Sequence, residues 1–97
     1  MSFHQTQYII TVTKQDYVGA VRANPFQCII ARAIRRSLPM LDTVMVGTNL
    51  AKIGYGQHTF NFKLPSNIAN LITNFDNTGF CVDNLPITFT MTKDDDP

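Results

Sequence analysis

The sequence predicts a small α+β domain: a largely antiparallel sheet with helices packed on one face, in the order β-α-α-β-β-α-β. Three observations lead there. Apolar and polar residues alternate strictly over 58–64 and again over 87–92, the period of half-buried antiparallel strands. Apolar residues recur at helical spacing after Pro25 and after Pro65, and proline is favoured where a helix opens. A chain of 97 residues with 44% hydrophobic content can build one core and is too short for two.

The elements follow in order. Tyr8-Ile9-Ile10-Thr11-Val12-Thr13 is β-branched and aromatic, the composition of a strand. Thr13 is placed to cap a helix, with Asp16 in the first turn, where negative charge suits the helix dipole. That helix carries Tyr17, Val18 and Val21 and is expected to run to about Ala23. Asn24-Pro25 restarts the chain as cap and first helical residue. Phe26, Ile29, Ile30, Ala33 and Ile34 then form an apolar stripe that Leu38 extends, and Pro39 stops the helix. Arg32, Arg35 and Arg36 lie off the stripe and are expected to face solvent.

Thr43-Val44-Met45-Val46 reads as a strand, and Gly47, Gly54 and Gly56 punctuate a region expected to hold a bulge or hairpin around Asn49. His58 to Leu64 is the next strand, with Phe60, Phe62 and Leu64 on its buried face. Pro65 opens a helix whose core stripe is Ile68, Leu71, Ile72 and Phe75, and Asn77 or Gly79 supplies the left-handed residue that ends it. Ile87, Phe89 and Met91 alternate with Thr88, Thr90 and Thr92 in the last strand. The whole, 1–97, reads as a single domain with mobile ends over 1–6 and 93–97.

Composition narrows the function classes. Charged residues are 15% of the chain, so Thr, Asn, Gln and Ser must cover much of the surface. A surface poor in charge resists self-association weakly, and a homodimer is expected. The net charge of +1 argues against a strong general affinity for nucleic acid or acidic membranes. Its distribution is uneven: Asp94, Asp95 and Asp96 form an acidic tail, there is no glutamate, and Arg22, Arg32, Arg35 and Arg36 fall close together. Cys28 and Cys81 sit in apolar surroundings without a Cys-x-x-Cys pair and read as reduced core thiols. Met1 to Gln7 is polar, no apolar run approaches the roughly 18 residues of a membrane span, and the expected compartment is the cytoplasm.

Val12-Thr13, Asn24, Cys28, Ile30-Ala31-Arg32-Ala33, Val44-Met45-Val46-Gly47, Leu64-Pro65, Phe75-Asp76-Asn77-Thr78-Gly79 and Pro86-Ile87-Thr88-Phe89 form a pattern over nearly the whole chain. In this pattern the chain resembles a family of short uncharacterised bacteriophage proteins. Ile29 departs from it, since the family usually has proline after the cysteine. The resemblance implies a phage (viral) accessory protein working in the host cytoplasm, such as an inhibitor of a host defence system.

Chemistry-bearing residues are few. His4, His58 and Cys28 make a catalytic dyad only if the fold brings them together, and Cys28 reads first as a small core hydrophobe. Asp42 with Asp83 is the one carboxylate pair left once Asp16 and Asp76 have local structural roles. No metal spacing and no glycine-rich phosphate fingerprint occur. Gly54-Tyr55-Gly56 reads as a hairpin tip, or as a turn that displays Tyr55 to a partner or a base. Arg32, Arg35 and Arg36, with Arg22 before them, have no acidic neighbour at i±4. They are a solvated helix face, a grip for an acidic protein patch, or a grip for phosphate. An Arg32→Glu, Arg36→Glu double change is expected to abolish binding with the fold intact. The reading is a non-enzymatic binding protein acting on a host protein, without cofactor or metal. The binding candidates are Arg22, Arg32, Arg35, Arg36 and Tyr55. The alternative is a nucleic-acid or nucleotide-binding module using the arginine-rich helix.

Overall fold

Residues 6–21, 24–47, 49–78 and 85–94 are described by a computed structural model, and within them alternation sorts each strand into two faces. The strands are β1 (Gln7–Val12), β2 (Thr43–Val46), β3 (Leu50–Tyr55), β4 (His58–Lys63) and β5 (Ile87–Lys93). The helices are α1 (Lys14–Tyr17), α2 (Ile29–Ser37) and α3 (Ser66–Thr78). All pairings are antiparallel and the sheet order is β1-β5-β4-β3-β2. The fold is thus the expected α+β arrangement. β3 is the strand beyond the four of the minimal order, and it pairs with β2 as the hairpin offered around Asn49.

The inward rows are Ile10 and Val12 of β1, Val44 and Val46 of β2, Ala51 and Ile53 of β3, Phe62 of β4, and Phe89 and Met91 of β5. Thr88, Thr90 and Thr92 of β5 point outward to water. The sheet curls, so that its two edge strands, β1 and β2, both pack on α2. This geometry explains the helix. Ile29, Ile30, Ala31, Ala33 and Ile34 are all without exposure. At about 100° per residue they cover an arc of roughly 200°, wider than the stripe of a helix lying on a flat sheet. α3 adds Ile68, Leu71, Ile72 and Phe75 to the same core, and Tyr17 of α1 meets Phe75 edge-on at 6.1 Å.

Several boundaries differ from the sequence reading, each for a local reason. α1 stops at Tyr17 instead of reaching Ala23. Val18 turns extended and Gly19 takes a left-handed φ of +87°, which only glycine adopts without strain. Asn24 does cap a turn, its Oδ1 accepting from Phe26 N and Gln27 N. That turn ends after one cycle, because Cys28 is extended. α2 then starts afresh at Ile29, with Cys28 Sγ accepting from Ala31 N at 3.5 Å. Phe26 is therefore off the core stripe and exposed.

Tyr55 is the last residue of β3, half-buried opposite His58, and is not displayed at a tip. The tip is Gly56-Gln57, where Gly56 has φ +63° and its N–H donates to Asp42 Oδ2 at 2.7 Å. Both ends are ordered further out than the sequence reading placed them. Lys93 N donates to Thr6 O at 2.7 Å and Asp94 N to Asn61 O at 2.8 Å. Asn77 lies within α3, so it does not end that helix, and Gly79 lies outside the described residues. No helix among the described residues is long and apolar enough to cross a membrane.

Candidate functional site

α2 has given most of its circumference to the core, and its remaining side carries Arg32, Arg35 and Arg36. Opposite them stand α1 and the loop residues 18–21 and 24–27. A four-residue helix leaves its carbonyls without intrahelical donors, and the arginines supply some of them. Arg32 Nε donates to Asp16 O at 3.0 Å and its Nη2 to Val18 O at 3.1 Å. Arg36 Nη2 donates to Thr11 O at 2.6 Å, at the end of β1. Arg35 Nη2 donates to Gln27 Oε1 at 3.2 Å, at the far end of the same loop. Gly19 passes directly over the Arg32 guanidinium, where a Cβ would lie 3.4 Å from Nη2.

Asp16 is the centre of this network. It accepts from Thr13 N at 2.8 Å and Thr13 Oγ1 at 3.2 Å, closing the first turn of α1. It also accepts a forked pair from Arg36, Nε to Oδ1 and Nη2 to Oδ2, both at 2.9 Å. The carboxylate side chain is 3% exposed and the Arg36 side chain 39%. Burial by itself raises the carboxyl pKa. The Arg36 hydrogen bond, the Thr13 N–H and the Arg36 charge outweigh it and hold Asp16 below its ordinary 3.8. The Asp16 bond in turn holds Arg36 more firmly protonated, against a smaller opposing effect of burial.

Gln15, Asp16, Arg32, Arg35 and Arg36 together line an open depression of about 190 Å³. It presents three guanidinium groups against one carboxylate. The imbalance begins in the sequence: before Asp42 the chain has five basic residues and Asp16 as its single acid. The stretch that Arg32 and Arg35 hold exposes apolar side chains: Val18 at 69%, Phe26 at 48% and Val21 at 47%. Val21 N donates to Gln27 O at 2.9 Å and Val46 N to Pro25 O at 2.8 Å, so the loop is tied to itself and to β2.

Of the residues singled out from sequence, the structure brings Arg32, Arg35 and Arg36 to one depression. Arg32 and Arg35 are half-buried and Arg36 is exposed. Tyr55 stands apart, in the β3–β4 hairpin. Arg22, His4, Cys81 and Asp83 lie outside the described residues. Cys28 is buried at the start of α2, whereas His58 is exposed. Among the described residues, no three His, Cys, Asp or Glu side chains gather as a metal site. The Arg32→Glu, Arg36→Glu change is no longer expected to spare the fold, because both guanidiniums hold backbone carbonyls that a carboxylate would repel.

Sequence reasoning missed the exposed loop, having assigned Val18, Val21 and Phe26 to helices. The signal present was Val18-Gly19, a β-branched residue followed by a glycine in mid-helix. It also missed the Asp16–Arg36 pair, although a lone acid among five basic residues must meet one of them in a charge-poor domain. Comparison with protein-family models, with curated proteins and with solved structures found no match to this chain.

Proposed function

We propose that the chain is a non-enzymatic binding protein that engages another protein through loop residues 18–21 and 24–27 and the arginine depression they are bonded to. One observation carries this reading: Val18, Val21 and Phe26 are exposed on the stretch whose Val18 O and Gln27 Oε1 are held by Arg32 and Arg35 of the depression. An exposed aromatic with arginines fits the enrichment of aromatic residues and arginine at protein interfaces; Phe26 and the valines provide buried area and the guanidiniums select the partner. A matching partner presents an apolar pocket or knob with carboxylates at its rim. The arginines act chiefly as positioning residues. Their bonds to Asp16 O, Val18 O and Gln27 Oε1 hold the loop in the shape it presents, which limits the entropy lost on binding. The resemblance to phage proteins extends the proposal to a phage-encoded inhibitor of a host protein.

The second reading is a nucleic-acid or nucleotide phosphate in the same depression, favoured by its three guanidiniums to one carboxylate. It is the weaker of the two, because Arg36 already pairs with Asp16 and Arg32 already serves two carbonyls. The test is affinity capture from lysate with the wild-type chain and with a Val18→Glu, Phe26→Glu variant, each with and without nuclease. A protein captured by the wild type despite nuclease, and lost with the variant, supports the protein reading. Capture abolished by nuclease and falling steeply with salt supports phosphate recognition. Capture unchanged in the variant removes the loop from either reading.

A further inference from the structure

The two edges of the sheet are finished differently. β2 is four residues long, and Val46 N on its outer side is taken by Pro25 O. β1 is six residues long, and Gln7-Tyr8-Ile9-Ile10-Thr11-Val12 contains no charge, no proline and no glycine. Natural edge strands are ordinarily blunted by lysine, proline or a bulge, because an uncovered row of N–H and C=O groups pairs with any strand that reaches it.

Which groups of β1 face outward follows from the bonds at its end. Thr11 O is held by Arg36 and Thr13 N by Asp16, so the odd-numbered residues turn away from β5. Backbone groups of residues two apart point the same way along a strand, which places the N–H and C=O of Gln7 and Ile9 on that outer edge with the N–H of Thr11. Among the described residues nothing bonds to these groups. The Ile9 side chain stands on the outer sheet face opposite Thr90 and is 72% exposed, more than any other large apolar side chain among them.

We infer that β1 is a self-association edge, and that two copies of this chain pair antiparallel through it about a two-fold axis at Ile9. In that register Ile9 opposes Ile9 of the second copy, and Gln7 opposes Thr11. Each Ile9 N–H donates to the other Ile9 C=O, and each Thr11 N–H donates to the other copy's Gln7 C=O. The two Ile9 side chains, directly opposite on one face, remove each other from water. A second copy is the occupant that fits because the edge is self-complementary: an uncharged strand meets its own copy with no like charges opposed, and an isologous contact closes. Arg36 and Asp16 cap Thr11 O and Thr13 N, which stops the ladder there. The result is one sheet of ten strands running through both copies, with both arginine depressions outside the ladder.

Sedimentation velocity over a wide concentration range tests this, using wild type, Ile9→Lys and, as a control on the other candidate surface, Val18→Lys. The expected result is a wild-type species of twice the 10.9 kDa chain mass at the higher concentrations. Ile9→Lys weakens it by at least about tenfold, since lysine is the residue that keeps edges apart, and Val18→Lys leaves it unchanged. Circular dichroism of Ile9→Lys is expected to match the wild type, as the side chain it replaces faces water. A wild type that stays monomeric throughout overturns the inference. So does an Ile9→Lys chain that dimerises as well as the wild type, or a dimer broken by Val18→Lys and not by Ile9→Lys. In the wild-type dimer the Ile9 amide exchanges more slowly as concentration rises; an Ile9 amide indifferent to concentration also counts against the pairing.

Discussion

The two sides of α2 begin from the same nine residues and meet opposite surroundings. One side sends Ile29, Ile30 and Ile34 into a core closed by the curled sheet, and any well-matched apolar residue would serve there. The other sends Arg32, Arg35 and Arg36 to named carbonyls and to a carboxylate, and each bond depends on the direction of a particular guanidinium. The difference teaches where stability and where shape come from. Apolar burial holds the helix in place without specifying much, whereas the arginine side specifies the path of one loop and adds less to stability.

Breaking the apolar side has the largest expected effect. Ile30→Ala deletes a side chain with no exposure and is expected to destabilise by about 2–5 kcal/mol, and Phe62→Ala by about 3–5 kcal/mol. A domain of this size is held by only about 5–15 kcal/mol, so a chemical denaturation midpoint registers either change clearly. A loss under about 1 kcal/mol for Ile30→Ala would mean that the sheet does not close over α2.

The apolar side was also the legible one. Ile29, Ile30, Ala33 and Ile34, the alternation of β4 and β5, and the Ile68–Phe75 stripe of α3 were read from period alone, because burial leaves a mark at every turn or every second residue. What stayed hidden depends on contacts distant in sequence. Ala31 was not expected in the core, since only a sheet that reaches both flanks of α2 buries it. The arginines offered no acidic neighbour within a helical turn; their partners are the Asp16 carboxylate, backbone carbonyls at 11, 16 and 18 and the Gln27 side chain, placed by tertiary structure. Phe26 and Val18 looked like core residues because a residue type carries no record of a left-handed glycine or an extended cysteine beside it.

On the arginine side, the Asp16–Arg36 pair is the next largest effect, and its two halves are expected to fail differently. Asp16→Asn keeps the shape and loses charge-assisted bonds, a loss of about 1.5–3 kcal/mol at neutral pH. Arg36→Met keeps the stem and leaves the buried carboxylate without its guanidinium; because Arg36 is 39% exposed and water screens the loss, it is expected to destabilise by about 3 kcal/mol at neutral pH. Acidification separates them. In the wild type the folded pKa lies below the unfolded value near 3.8. The stabilisation is therefore complete above that value and is lost as pH falls through the folded pKa. In Arg36→Met only the two Thr13 hydrogen bonds oppose burial, so the carboxyl pKa moves up toward the unfolded value and the acid-side loss of stability shrinks. Denaturation midpoints from pH 7 down to 3 are expected to decline in the wild type below about pH 4 and to decline less steeply in Arg36→Met. Parallel curves would show that Arg36 does not set the state of Asp16.

Gly19→Ala acts on the same loop with a smaller effect. An alanine at φ +87° is disfavoured by about 1–2 kcal/mol, while its Cβ would meet the Arg32 guanidinium only at contact distance, 3.4 Å. The expected signature is modest destabilisation together with weakened partner binding, because the loop path shifts. The smallest stability effect sharpens the comparison most. Val18→Ser with Phe26→Ser replaces side chains that are 69% and 48% exposed, and is expected to change stability by less than about 0.5 kcal/mol for each. Its effect on capture of a protein partner is expected to be near-complete, since those side chains supply the apolar area of the proposed contact. Thermal denaturation and capture measured on the same preparation separate the two. A variant that loses stability but still captures its partner would mean that the loop belongs with the core side of α2 and that the binding surface lies elsewhere.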